Sequence, residues 1–311
     1  MSDTGCDVMG SEGHSKARRL RELIGRGTVV MPGAFNALVA LQIERVGFQA
    51  LYVSGAGLAA ARGVPDIGLL SLAEVVSDAA TIANAVAIPA LADADTGYGP
   101  PLSVMRTVQE FERAGLAGIH LEDQEIPKKC GHLSGKRLVS DSEMARKIGA
   151  AVEARQNPEF LIVARTDARA VEGLEAAVRR ARVYAQAGAD LIFPEALESG
   201  EEFRAFAKGL AKAGVKLPLV ANMTEFGKTP YLTVREFEDL GYRLVLFPVT
   251  ALRVASQSVE KVLDELKTLG TQKNSLSLMQ TRQQLYELLR YEDYEKRDTG
   301  LHERYGREIK D

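Results

Sequence analysis

Cysteine is scarce in this 311-residue chain: Cys6 and Cys130, far apart in sequence, are the only two. Two such residues cannot build a disulfide framework, and a reducing compartment is the expectation. Excess charge is lacking as well. Lys and Arg total 39 against 42 Asp and Glu, for a formal net charge of -3. A chain so balanced exerts no bulk attraction on nucleic acid or an anionic membrane, so any basic site is local. Long apolar runs are missing too. The most apolar stretch, NALVALQIERVGFQALYV, is broken by Glu44 and Arg45, and nothing approaches the roughly 18 uninterrupted apolar residues of a spanning helix. The opening MSDTGCDVMGSEGHSKARRLRELIG is polar and lacks the apolar centre of a signal peptide. Together these absences predict a cytoplasmic protein with neither nucleic acid nor membrane as partner. What is present suits a folded chain with a large core: 46% hydrophobic residues, 26% charged, 28 Gly and 11 Pro. There is no linker and no low-complexity segment.

Short aliphatic runs alternate with longer Ala-rich stretches of helical spacing. The runs are TVVMPGAF, ALYVSG, IPALADAD, GIHLED, EFLIVARTDA, ADLIFPEA, LPLVANMT and RLVLFPVT. Near-continuous apolar strands without a polar alternate face are expected of a parallel sheet covered by helices. Between them, residues 172–187 (EGLEAAVRRARVYAQA) repeat apolar positions every three or four residues and predict a helix. Gly47, Gly115, Gly188, Gly214 and Gly241 stand where helices would stop before the next strand. Eight strand–helix units in about 250 residues match a (β/α)8 TIM barrel. A doubly wound open sheet gives the same local alternation, but no GxGxxG follows the first strand. Beyond the eighth strand, 251–269 and 275–294 predict two further helices, of a kind that packs on a neighbouring subunit. The expected organisation is therefore one barrel domain over 1–311, with 270–311 as a C-terminal helical extension.

Polar residues gather at the carboxyl ends of the predicted strands, where barrel enzymes place their chemistry. These are Ser54 and Gly55; Asp93 and Asp95; Glu122 and Asp123; Arg165, Thr166 and Asp167; Glu195; Asn222 and Thr224; and Arg253 after the eighth strand. Any one of them alone reads as a helix cap or a turn. Seven strand ends in succession read as a site. Asp93 and Asp95, two apart, are expected on the same side of an extended strand. Such a pair repels unless a cation or shared proton intervenes. Oxygen ligands without His or Cys suit a hard cation such as magnesium, with Glu122 beside them. Arg165, Arg253 and Arg282 are candidate carboxylate clamps. The long segment DQEIPKKCGHLSGKRLVSD after the fourth strand breaks the short-loop habit of such barrels. In it, Lys128, Lys129 and His132 flank Cys130 and are expected to favour its thiolate. Gly131 permits a close approach to a ligand, so the segment reads as a mobile lid carrying an acid.

KKCGH resembles the signature of the isocitrate lyase and phosphoenolpyruvate mutase superfamily. The resemblance runs through MPGAFNAL, LYVSGAG, GVPDIGLLS, ADADTGYG, ARTDA, FPEA, NMTEFGKTP, LFPVTALRVA and QTRQQLYELLRY, nearly the whole chain. The cysteine in KKCGH is similar to the lyase branch, and the pattern most resembles that of 2-methylisocitrate lyases. Ala56 departs from it, since a second Gly usually follows Ser-Gly there. The resemblance implies a barrel whose last helix is exchanged between partners, in a homotetramer built as a dimer of helix-swapped dimers. It implies Mg2+ at Asp93 and Asp95, with Asp66 and Glu122 around it. Substrate contacts carry over to Ser54, Gly55, Ala56, Cys130, Gly131, Arg165, Glu195, Asn222, Met223, Thr224, Arg253 and Arg282. The implied activity is that of a carbon–carbon lyase in the methylcitrate route of propionate breakdown. It cleaves the C2–C3 bond of a tricarboxylate, 2-methylisocitrate, to pyruvate and succinate. Cys130 is the implied acid, Tyr52 the first candidate base, and Lys128 and His132 further catalytic groups. Phe193, Leu246 and Pro248 are implied to face the substrate methyl. The same frame admits lyases or hydrolases of isocitrate, 2,3-dimethylmalate or oxaloacetate, or a dicarboxylate-binding barrel without catalysis.

Overall fold

A computed structural model describes residues 15–305; Cys6 and the first fourteen residues of the polar opening segment lie outside them. Eight strands follow one another: β1 Val29–Ala34, β2 Leu51–Val53, β3 Ala90–Asp93, β4 Gly118–Glu122, β5 Leu161–Thr166, β6 Leu191–Pro194, β7 Leu219–Asn222 and β8 Tyr242–Phe247. Each is parallel to its neighbour, and β8 pairs back to β1, for example Met31 against Leu246, which closes the barrel. The eight apolar runs are the eight strands, and helices lie between them.

Every strand carries two sets of side chains. Alternate residues such as Ile119, Leu121, Ile162 and Ala164 pack under the outer helices in one buried cluster. The intervening set, including Met31, Tyr52, Leu91, Val163, Phe193 and Leu246, fills the barrel interior in another. Both faces are apolar because neither meets water, which is why the runs show no polar alternation until they end.

Two predicted helices are divided in the fold. Residues 172–187 do not form one helix: Glu172 ends a short helix, Gly173 turns at φ 92°, and Leu174–Gln186 begins anew. The tail is likewise not a single helix over 275–294. A 3-10 turn at Lys273–Leu278 is followed by helices Arg282–Leu288 and Tyr291–Tyr305. Thr281 and Gln284 form a reciprocal cap that starts the second piece, and Arg290 at φ 56° separates it from the third. The helix Thr250–Leu269 buries none of its residues, leaving Val254, Val259, Leu263 and Leu269 exposed.

Closure brings backbones together where a side chain has no room. A Cβ on Gly33 of β1 would lie 1.9 Å from the carbonyl oxygen of Pro248, just past β8. Gly25, in the helix Lys16–Arg26, has open space around it. Gly33→Ala is therefore expected to cost about 3 kcal/mol or more, because backbone rather than a pliable side chain must shift. Gly25→Ala should be neutral or slightly stabilising. Thermal unfolding of both variants checks this, and equal melting temperatures would refute the close approach.

Candidate active site

The alternation that fills the barrel also builds its mouth. Interior positions recur every second residue, so residues at the ends of six of the strands face one cavity, about 600 Å³ with the open space at its mouth included. Tyr52, Ser54 and Ala56 line it from β2 and the start of the next helix, Asp93 from β3, Arg165 from β5, and Phe193 and Glu195 from β6 and just past its end. Asn222 and Thr224 follow on β7, and Leu246, Pro248 and Arg253 come from β8 and its helix. Asp66 closes one side, and the loop after β4 covers the top with Lys128, Cys130, Gly131 and His132. Gly55 opens the next helix so near the site that a Cβ would lie 2.8 Å from Asp93 Oδ2. Ser54 also caps that helix, accepting the Gly57 N–H at 3.3 Å.

Two expected contacts lie elsewhere. Met223 occupies an outward position on its strand's continuation and is buried in the layer beneath the helices, not in the cavity. Arg282 stands at the start of a tail helix, beside Gln283 and Tyr286 around a separate hollow. Within one chain it does not reach the barrel mouth, because the tail leaves the barrel along the exposed helix Thr250–Leu269. Asp95 needs a further correction. It follows β3 in a left-handed turn (φ 46°) instead of extending the strand, and its N–H donates to Asp93 Oδ1 at 2.9 Å. The pair is thus built by a turn and not by strand alternation.

The carboxylates are crowded. Burial, joined by the charge of Asp93, pushes Asp95 up to about 6. Burial would raise Asp93 also, but His120, Lys128 and Arg165 outweigh it and hold Asp93 below its ordinary value. Glu122, fully buried, is pushed well above the usual carboxylate range, and its Oε1 has no hydrogen-bond partner. Lys128 pairs with Asp66 and lies 2.8 Å from Asp95 Oδ1. Among the described residues no three His, Cys, Asp or Glu side chains converge closely enough to enclose a metal by themselves. Two carboxylates, a third with an unused oxygen, and repulsion still unrelieved fit a hard divalent cation that completes its shell with water and substrate oxygens.

Arg165 interrupts the apolar β5 and is buried among carboxylates. It meets Asp167 through two hydrogen bonds of 3.1 and 3.2 Å and lies 3.3 Å from Glu122 and 3.4 Å from Glu195. Its guanidinium also stacks over the Phe193 ring at 5.4 Å. Burial works against the charge of Glu195, yet Arg165, His132 and Lys136 hold it far below the usual range. The Asn222 amide donates to both Glu195 oxygens at 3.2 Å.

The loop after β4 lies down on this cluster. A Cβ on Gly131 would sit 2.4 Å from Glu195 Cγ, so only glycine allows the approach. His132 faces Glu195 at 3.1 Å through Nε2 and accepts the Lys228 N–H at 3.0 Å through Nδ1. Gln124 fixes the base of the loop by exchanging two 2.9 Å hydrogen bonds with the backbone of Lys129. The expected thiolate is not favoured here. Burial, joined by the charge of Glu195, raises the pKa of Cys130, while the Lys128 ammonium is turned to Asp66 and Asp95. The thiol stays protonated, which suits a proton donor better than a nucleophile.

Two residues escape a reading of strand ends. His120 lies on β4, two before Glu122 and on the same interior face; its Nε2 is 2.7 Å from the Tyr52 hydroxyl. Strand alternation counted inward from Glu122 finds it. Burial, together with Asp93, raises the Tyr52 phenol well above its ordinary value, so the resting side chain is protonated. Lys136 is the second, a buried cation in the loop that the basic composition of the segment conceals.

Residues 20–267 match the phosphoenolpyruvate phosphomutase family. The 2-methylisocitrate lyase of Aeropyrum pernix is 55% identical over 91% of this chain and 90% of its own. A crystal structure of 2,3-dimethylmalate lyase, a PEP mutase/isocitrate lyase superfamily member, superposes with a TM-score of 0.86 at 36% identity, covering 92% of this chain and 95% of that one. Phosphonopyruvate hydrolase in complex with oxalate and Mg++ superposes at 0.82 and 31% identity, covering 94% and 99%. With barrel, lid motif and strand-end carboxylates all in place, the chain belongs to the metal-dependent phosphoenolpyruvate mutase and isocitrate lyase superfamily and groups there with the carbon–carbon lyases known as 2-methylisocitrate lyases.

Proposed function

We propose that this chain cleaves the C2–C3 bond of 2-methylisocitrate to pyruvate and succinate, with Mg2+ as its cation. The observation that carries the reading is the placement of Cys130, half-buried in a loop that lies over the cavity of Arg165 and the Asp93–Asp95 pair, where burial raises the thiol's pKa and so keeps its proton in place. The reaction asks for three things: loss of the tertiary alcohol's proton, a place for the charge that then develops, and a proton for the carbon left behind.

Arg165 and, at the rim, Arg253 hold substrate carboxylates, and Arg165 stabilises charge as it accumulates on the succinate half. Ser54, with the backbone of Gly55 and Ala56 at a helix start, and Asn222 and Thr224 orient the remaining oxygens. Bound at Asp93 and Asp95, Mg2+ would supply positive charge that lowers the alcohol's pKa and neutralises the oxygen on which the carbonyl forms. Lys128 balances Asp66 and Asp95, and His132 holds Glu195 while anchoring the loop. Tyr52 is the residue of this chain placed to relay the alcohol proton: its phenol, protonated at rest, takes that proton as it gives its own to His120 Nε2, 2.7 Å away, whose imidazole burial keeps neutral. Cys130 then protonates the succinate carbon, inside a site from which the loop excludes water.

The same reading gives a cytoplasmic homotetramer of helix-exchanged dimers, in one barrel domain with 270–311 as a helical extension. The exposed apolar face of Thr250–Leu269 and the remoteness of Arg282 from its own barrel support it.

Three outcomes test the proposal. Cys130→Ser should fold and bind product with turnover reduced by about 10²–10⁴-fold, the usual worth of a positioned acid; full activity in a pyruvate-release assay would remove Cys130 from the reaction. Chelation should abolish cleavage, and Asp93→Ala or Asp95→Ala should raise the Mg2+ concentration needed for half-maximal rate. Cleavage by a metal-free preparation contradicts the cation assignment. Phe193, Leu246 and Pro248 form an apolar wall of the cavity, so 2-methylisocitrate should exceed isocitrate in kcat/KM by about 10–200-fold, the range one methyl supplies. Leu246→Trp should lower the former more than the latter. Equal ratios across a panel with isocitrate, 2,3-dimethylmalate and oxaloacetate would sink the methyl wall.

A further inference from the structure

Lys136 stands six residues beyond Cys130 in the covering loop, yet its side chain is only 1% exposed. Its ammonium donates to the backbone carbonyl of Gly131 and to Asp167 Oδ1, the latter at 2.7 Å. The two partners belong to different parts of the site. Gly131 follows the thiol; Asp167 follows β5 and grips Arg165 through both of its oxygens. Asp167 Oδ1 is therefore shared between a cation from the loop and the cation of the clamp.

Asp167 is a firm anchor. Its N–H donates to Asp123 Oδ1 at 2.9 Å, while Asp123 Oδ2 accepts the hydroxyls of Thr166 and Tyr184, each at 2.8 Å. The other titratable groups at this corner, Glu122, Glu195 and His132, are engaged with Arg165 or with each other. Lys128 and His132 also tie the loop down, to Asp66 and Asp95 and to Glu195, but among the described residues Lys136 is the side chain that joins the Gly131 carbonyl to the carboxylate gripping Arg165. If the loop lifted, Lys136 would regain water and Asp167 would keep Arg165, so desolvation opposes closure while two charge-assisted bonds favour it. Opposed terms of this kind let substrate tip the balance towards closure.

We infer that Lys136 is a positioning residue: it latches the loop by joining Gly131 to Asp167, and so sets the thiol of Cys130 and the guanidinium of Arg165 together. The inference rests on the loop carrying the proton donor, as proposed above, but its central test does not depend on turnover. In wild-type enzyme with Mg2+, succinate and pyruvate, iodoacetamide should label Cys130 slowly, read by mass spectrometry of its own peptide so that Cys6 does not interfere. Lys136→Met should speed labelling about 10-fold or more and hasten hydrogen exchange over 128–136 alone. Its kcat should fall about 100-fold with KM far less affected, since a displaced donor misses the transition state. Lys136→Gln, which keeps donors without charge, carries the same measurements should the methionine variant fold poorly. Wild-type labelling and loop exchange in the variants would overturn the latch. So would a lowered melting temperature with exchange hastened throughout the barrel, the mark of a merely structural ion pair. A wild-type enzyme that fails to cleave 2-methylisocitrate defeats the proposed function, and the labelling still decides the latch.

Discussion

Positive charge is the quantity in short supply at the mouth of this barrel. Asp66, Asp93, Asp95, Glu122, Asp167 and Glu195 crowd around three fixed cations, Lys128, Lys136 and Arg165. In a dry interior the deficit shows in the carboxylates: Asp95 and Glu122 are driven up, whereas Asp93 and Glu195, better served by neighbouring cations, stay low. The remainder of the site follows. Arg165 is pinned because its partners cannot do without it, the loop lies down because it brings Lys128 and Lys136, and the carboxylates still short of charge suit the proposed cation.

Much of this was legible in the sequence because a closed parallel barrel is buried on both strand faces. Its runs are apolar throughout, and Asp93, Glu122, Arg165 and Glu195 interrupt them only where they leave the interior. The same logic explains what was misread. Met223 sits at an outward step of its strand, so adjacency to Asn222 says nothing about the cavity. Asp95 depends on a left-handed turn that no periodicity announces. Gly173 and Arg290 break helices whose apolar spacing continues across them. The protonation of Cys130 turns on where Lys128 and His132 point, a three-dimensional fact absent from the string KKCGH. Lys136 was hidden by ordinariness, one lysine among several in a polar loop.

The barrel itself leaves the choice of substrate open. Structures similar to this one include a 2,3-dimethylmalate lyase, an oxaloacetate acetylhydrolase and a phosphonopyruvate hydrolase. One scaffold thus carries several reactions, and discrimination lies in a few cavity walls. Here those walls are not free agents. Phe193 packs edge to face with His120 and carries the Arg165 guanidinium on its ring, so the side chain proposed to face the methyl group also supports Arg165. A change of specificity at that position alters the anion site with it.

The seat of Gly131 against Glu195 and Arg165 has one more consequence. With a single glycine-sized slot available there, the Cys130–Gly131 part of the loop is seated on the β5–β6 side of the cavity. As the donor proposed above, a thiol carried in this manner would meet a planar carbanion on one face. Succinate formed in heavy water would then be chiral by virtue of its isotope alone, a handedness written by the absence of one methyl group from the loop.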